Sequence, residues 1–368
     1  MDKQYKNEQI KLGNEPLVRI TKRAERSGKS IMMLRVGAFL LSLLAGGIFI
    51  LCLGYNPLGV YSVILSGSFR SAMAVQAMVK LMIPLLISSL GITLAFKMKF
   101  WNIGAEGQII VGAIFASYFA LFQDQLPHIL LIIIMLAAGF IGGGLFGLIP
   151  AYFKARFDTN ETLFTLMLNY IALHTIVLLR DGPWRDPESP GFPKIARFSV
   201  NATMDKVFGI QAGWMIGLIL VVIVFIYLKY SKQGYEISVV GESQATARYA
   251  GMNVKKIVLR TMFFSGGICG IAGVCQATGS DITLATSVAG GVGFTAIIVA
   301  WLAQLNPIGI LGFTFFFAVL EKGSTVVQST YGLSSNCAAV LQGIILFFIL
   351  GCEFFVRYQF TFRKRGAK

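Results

Sequence analysis

Three side chains able to do polar chemistry stand in a short stretch where little else is polar. They are Asn102, Glu106 and Gln108 in KMKFWNIGAEGQIIVG, residues 97–112, and three glycines interrupt the same stretch. Apolar runs flank it on both sides. A charged side chain at bilayer depth is costly, about 2.5–3.5 kcal/mol for Asp, Lys or Arg at a helix centre. Irregular backbone at that depth survives only where protein or a water-filled cavity satisfies it. Residues of this kind would line a path for a polar solute. The alternative is a turn between two spans, with Glu106 in headgroup water; both readings stand at this level.

Other chemistries find no support. His128 and His174 lie far apart and outside any HExxH pattern. Cys52, Cys269, Cys275, Cys337 and Cys352 sit in or beside apolar runs and form no CxxC pair, so neither a zinc site nor a disulfide framework is indicated. Ser27-Gly28-Lys29-Ser30 resembles the end of a phosphate-binding loop, but Arg23 stands where its first glycine belongs, and the sequence predicts no strand before it. Gly142 to Gly147 fits GxGxxG inside an apolar span. Glycines there let two helix backbones approach more readily than they cradle a dinucleotide.

The elements that must position these residues are membrane helices. Of 368 residues 55% are hydrophobic and 13% charged, with a mean hydropathy of +0.71, which is the composition of a polytopic membrane protein. The net charge of +15 would fit nucleic acid, but it is gathered in segments between apolar spans. Residues 1–35 form a basic leader, 36–356 a transmembrane domain and 357–368 a basic tail. Ten spans with both termini cytoplasmic place 24 of the 32 Lys and Arg on the inner side, as positive-inside orientation requires. In this map 180–209 is the main outer loop and 229–260 the largest inner loop. Asp158 with Glu161 is expected to cap the helix that follows. Ile282 to Leu320, free of charge over 39 residues, is expected to hold two spans broken at Asn306-Pro307, the second ending at Glu321-Lys322.

A second Gly-rich interruption, Thr278 to Gly293, falls between spans of the opposite sense to the first. Two interrupted segments in opposite orientation point to an inverted repeat with a pathway between its halves. Asp281 and Thr283 supply polarity there and are expected to face Asn102, Glu106 and Gln108. Phe294 and Trp301 are candidate stacking surfaces for a substrate. In the inner loop, Ser243 reads as a helix start and Gly251 as its stop, with Ala245, Arg248, Tyr249 and Met252 on one face. That face suits docking to a partner.

Several long motifs then converge. NIGAEGQ (102–108), NETLFTLMLNYIAL (160–173), GPWRDP (182–187) and GFTAIIVAWLAQLNPIGIL (293–311) together resemble the permease subunits of bacterial nucleoside ABC importers. These lie within the simple-sugar and branched-chain amino acid permease superfamily. GESQATARYAGMNVKK (241–256) resembles that superfamily's coupling segment, and adds Gly241 to the docking candidates. Glu242-Ser243 and Trp301 depart from the commoner pattern. The resemblance implies a non-enzymatic subunit of the cell membrane that binds no cofactor of its own. It implies a shorter permease as heterodimeric partner, ATPase subunits that use ATP and Mg, an extracellular substrate-binding lipoprotein, surrounding lipid, and no nucleic acid. A permease for ribose-like sugars and an ion-coupled secondary carrier are the alternatives; the near absence of further intramembrane acids speaks against the carrier.

Overall fold

The computed structural model describes residues 18–22, 28–189, 191–334 and 336–362, and it is mostly helical. In order, the elements are β1 (Val18–Lys22), α1 (Gly28–Cys52), α2 (Pro57–Phe69), α3 (Ala72–Lys97), α4 (Ala105–Phe122), α5 (His128–Phe157) and α6 (Glu161–Asp181). Then follow β2 (Lys206–Val207), β3 (Ile210–Gln211), α7 (Gly213–Tyr230), α8 (Lys232–Glu242), α9 (Gln244–Tyr249) and α10 (Val254–Cys275), which runs on as a π-turn over Gln276–Asp281. The chain closes with α11 (Val292–Leu302), α12 (Pro307–Tyr331), α13 (Cys337–Arg357) and β4 (Tyr358–Phe362).

Two compact units are present, 1–60 with 337–368, and 61–336. In the first, α1 packs on α13, and β1 pairs antiparallel with β4 from Val18↔Phe362 to Lys22↔Tyr358. The strand β1 does precede Ser27–Ser30, contrary to the sequence expectation. Arg23 at the first-glycine position still denies the stretch a phosphate-loop pattern. Most of the leader 1–35 and half of the tail 357–368 lie outside the described residues.

In the second unit α3 and α10 are central. Their apolar windows are 78% and 72% buried, against 28–33% for α5, α6 and α7. The peripheral helices turn apolar stripes outward: Ile129, Ile133, Ile141, Leu145 and Ile149 recur along one exposed face of α5. A soluble protein would not expose so much, whereas lipid accepts it. The opposite face of α5 carries Gly139, Gly143 and Gly147. A Cβ on Gly143 would run into the carbonyl of Gly266 and lie 2.8 Å from the Cα of Gly270 on α10. The glycines at 142–147 thus serve close helix packing.

Among the described residues, seven helices are long and apolar enough to cross a membrane: α3, α4, α5, α6, α7, α10 with its π-turn, and α12. There is an eighth if α1 and α2 form one broken span. Of the ten spans expected, α11 falls short, its 11 residues covering only about half of a ~30 Å hydrocarbon core. The break at Asn306-Pro307 is where the sequence puts it: Asn306 Oδ1 accepts from the Ile308 amide at 3.0 Å and Pro307 opens α12. However, residues 282–291 turn rather than coil into a helix, so the 39-residue apolar run holds a half-length helix and the first half of α12. Glu321 and Lys322 do not end α12, which continues to Tyr331. The cap of α6 is also corrected. Asn160 Oδ1 accepts from Thr162 (3.1 Å) and Leu163 (3.2 Å), while Asp158 closes α5 in a left-handed conformation (φ 52°) and pairs with Lys154 at 2.7 Å.

Candidate functional site

The stretch between α3 and α4 cannot be helical throughout, and side chains supply what its backbone lacks. Asn102 Oδ1 accepts from the Gly104 amide at 3.0 Å. The Asn102 and Gln108 amides face each other, at 3.1 Å and 3.3 Å. From α6, Asn169 brackets the loop: Oδ1 accepts from the Gly107 amide at 2.8 Å and Nδ2 donates to the Ile103 carbonyl at 2.9 Å. Thr165 Oγ1 accepts from the Ile103 amide at 3.2 Å. Asn102 and Gln108 are 0% and 1% exposed, so they spend their polarity on each other and on the loop rather than on an open surface.

Glu106 does something different. Its two carboxylate oxygens accept from the Gly291 and Gly293 amides, each at 2.7 Å. These amides belong to the first turn of α11, where helix N–H groups have no intrahelical acceptor and the dipole favours negative charge. Gly293 must be a glycine, because a Cβ there would run into the Glu106 backbone nitrogen. The two Gly-rich interruptions therefore do meet. Their contact runs through backbone amides at 291 and 293, not through Asp281 and Thr283.

Asp281 and Thr283 sit instead beneath the 180–209 loop. Thr283 Oγ1 donates to the carbonyls of Ile195 (3.1 Å) and Ala196 (3.3 Å), and Gln276 Nε2 donates to Asp281 Oδ1 at 3.0 Å. The Phe198 amide bonds the Ile282 carbonyl at 3.0 Å. Phe294 is exposed on α11. Trp301, at the far end of α11, stacks on Trp101 with ring centroids 5.6 Å apart and planes 22° apart, and Phe96 closes against both rings. Trp101, Thr165 and Asn169 escape the sequence reading. Asn169 had a signal, an amide in the middle of an apolar helix; Trp101 had only its place beside Asn102.

The second candidate surface is built on α9. Ser243 Oγ accepts from the Thr246 amide at 3.2 Å, and Gly251 stops the segment at φ +76°, as the sequence indicates. Ala247 is buried and anchors this short helix, while Ala245, Arg248 and Tyr249 are exposed, Tyr249 to 96%. Met252 is half-buried. Gly241 is buried and packs against the Lys97 carbonyl, which makes it a packing residue. An ion pair of 2.8 Å between Glu236 on α8 and Arg260 on α10 ties the segment down. The Lys154 ammonium beside Asp158 holds that carboxyl below the usual carboxylate range, and Arg248 adds to the pull, so α9 lies near the α5–α6 turn.

Comparison with known proteins agrees with this architecture. The chain is 28% identical to the glucose ABC transporter permease protein TsgB13 of Haloferax volcanii, over 89% of this chain and 90% of that one. It is 28% identical to the guanosine ABC transporter permease protein NupP of Bacillus subtilis, over 90% and 96%. It is 28% identical to the nucleoside ABC transporter permease protein NupB of Lactococcus lactis, over 85% and 88%. The family model described as branched-chain amino acid transport system / permease component matches residues 73–350, and the chain belongs to that family of membrane permeases.

Proposed function

We propose that this permease is the transmembrane subunit of an ATP-driven importer that carries nucleosides across the cytoplasmic membrane. The observation that carries the reading is the length over which two nucleoside-transporting relatives align, 85–90% of this chain. The exposed Trp101, stacked on Trp301, gives the reading a physical counterpart, since flat rings stack on nucleobases. A simple sugar is the second reading, favoured by the glucose-named relative.

On this reading the membrane helices form an inverted repeat in which α11 is a half-length helix, with the basic segments of the chain in the cytoplasm. The exposed Arg248 and Tyr249 of α9 dock an ATPase subunit that holds ATP and Mg, a shorter permease completes the pathway, and a substrate-binding lipoprotein delivers from outside. Cysteine labelling tests the orientation: Glu188→Cys should react from outside the cell and Gln244→Cys only after the membrane is opened. Uptake of labelled guanosine, adenosine, ribose and glucose by cells with and without the chain tests the substrate. Loss of nucleoside uptake alone on deletion supports the first reading, and loss of sugar uptake alone establishes the second.

A further inference from the structure

The helix α11 is short, and residues in the left-handed backbone region bracket it. Ile282 (φ 56°), Gly290 (φ 54°) and Gly291 (φ 82°) precede it, and Gln304 (φ 54°) and Leu305 (φ 56°) follow it, all in the left-handed region. For Leu and above all for a β-branched Ile this conformation is strained. Strain of this kind persists only where the surroundings enforce it, and it gathers at switches.

Residues 101–106 grip this rod at both ends. At the start, Glu106 holds Gly291 and Gly293, while the other first-turn amides, of Val292 and Phe294, bond back to Ala289 and Gly291. At the finish, Trp301 lies on Trp101. The grip at the start is two charge-assisted hydrogen bonds to one side chain, strong and specific yet reversible without repacking a core.

We propose that Glu106 is a latch: its carboxylate holds α11 in the resting permease, and each transport cycle releases Gly291 and Gly293 so that α11 can swing. Glu106 is then a positioning residue for the gate and not a substrate ligand. The proposal rests on the importer reading above.

Hydrogen–deuterium exchange on the complete transporter in lipid nanodiscs tests it, because both amides donate to Glu106. Exchange in the segment 288–296 should rise about tenfold in Glu106→Gln, which loses the charge and one acceptor, while the segment 254–275 stays unchanged. In the unaltered complex the same rise should follow addition of ATP and guanosine, and Glu106→Gln, already partly released, should show a smaller further rise. A residue that served only to hold the fold would not respond to turnover. Equal exchange in resting and cycling complex, or unaltered exchange in Glu106→Gln, overturns the latch. If the unaltered complex imports no nucleoside, the importer reading fails; the latch then stands only if ATP alone still raises exchange in 288–296 of the unaltered complex, and equal exchange with and without ATP overturns it.

Discussion

Asn169 shows what one side chain contributes at this site. It satisfies a donor and an acceptor of the 103–107 backbone at once, at 2.8 Å and 2.9 Å. Asn169→Ala leaves both groups buried without partners, at about 1–3 kcal/mol each. The purified variant should therefore melt well below the unaltered protein, and Asn169→Asp, which keeps the acceptor for Gly107 and loses the donor for Ile103, should fall between them. Thermal unfolding followed by a thiol-reactive dye on the buried Cys269 and Cys275 measures it. At this scale the sequence was half legible. Asn102, Glu106 and Gln108 stand out because polar groups in an apolar stretch need a reason. The partners of Glu106 do not stand out. They are glycine amides 185 and 187 positions away, and an amide nitrogen has no side chain to announce it.

Elements were legible where hydropathy or capping decides and obscure where packing does. Asn306-Pro307 and Ser243 carry their helix starts in their own chemistry. The brevity of α11 was hidden, because residues 282–291 are as free of charge as a span and are made to turn by what they pack against. Glu321 and Lys322 misled for the opposite reason. A long helix tolerates a charged pair where one of them, Glu321, is exposed, so charge did not mark its end. The crossing of α5 and α10 yields a prediction of its own. Gly143→Leu forces a side chain into the backbone of Gly266 and Gly270, so it should abolish the folded protein, scored as a monodisperse peak in detergent. Gly312→Ala, on an exposed face of α12 with nothing within 4 Å, should be neutral or stabilise by up to about 1 kcal/mol. Equal damage from both would refute the packing account.

At the scale of the whole molecule, the charge distribution and the exposed α9 carry the argument. This chain shows no complete phosphate loop, so on the importer reading energy enters through contact. Aromatic and arginine anchors dominate such contacts, at about 2 kcal/mol or more each. The double variant Arg248→Ala with Tyr249→Ala should thus lose co-purifying ATPase and uptake together. It should leave melting unchanged, since Tyr249 is 96% exposed and Ala247, not either of them, is the buried anchor. Normal ATPase recovery would move the docking surface to the neighbouring α5–α6 turn.

The central claim, an ATP-powered path for nucleosides, meets its most direct test in proteoliposomes that hold the purified complex. The substrate-binding protein and labelled guanosine are supplied on one face and ATP on the other. The account predicts accumulation that needs ATP, stops with a non-hydrolysable analogue, and is competed by unlabelled nucleosides but not by excess glucose or ribose. Accumulation that proceeds without ATP, or that glucose or ribose suppresses, would contradict it.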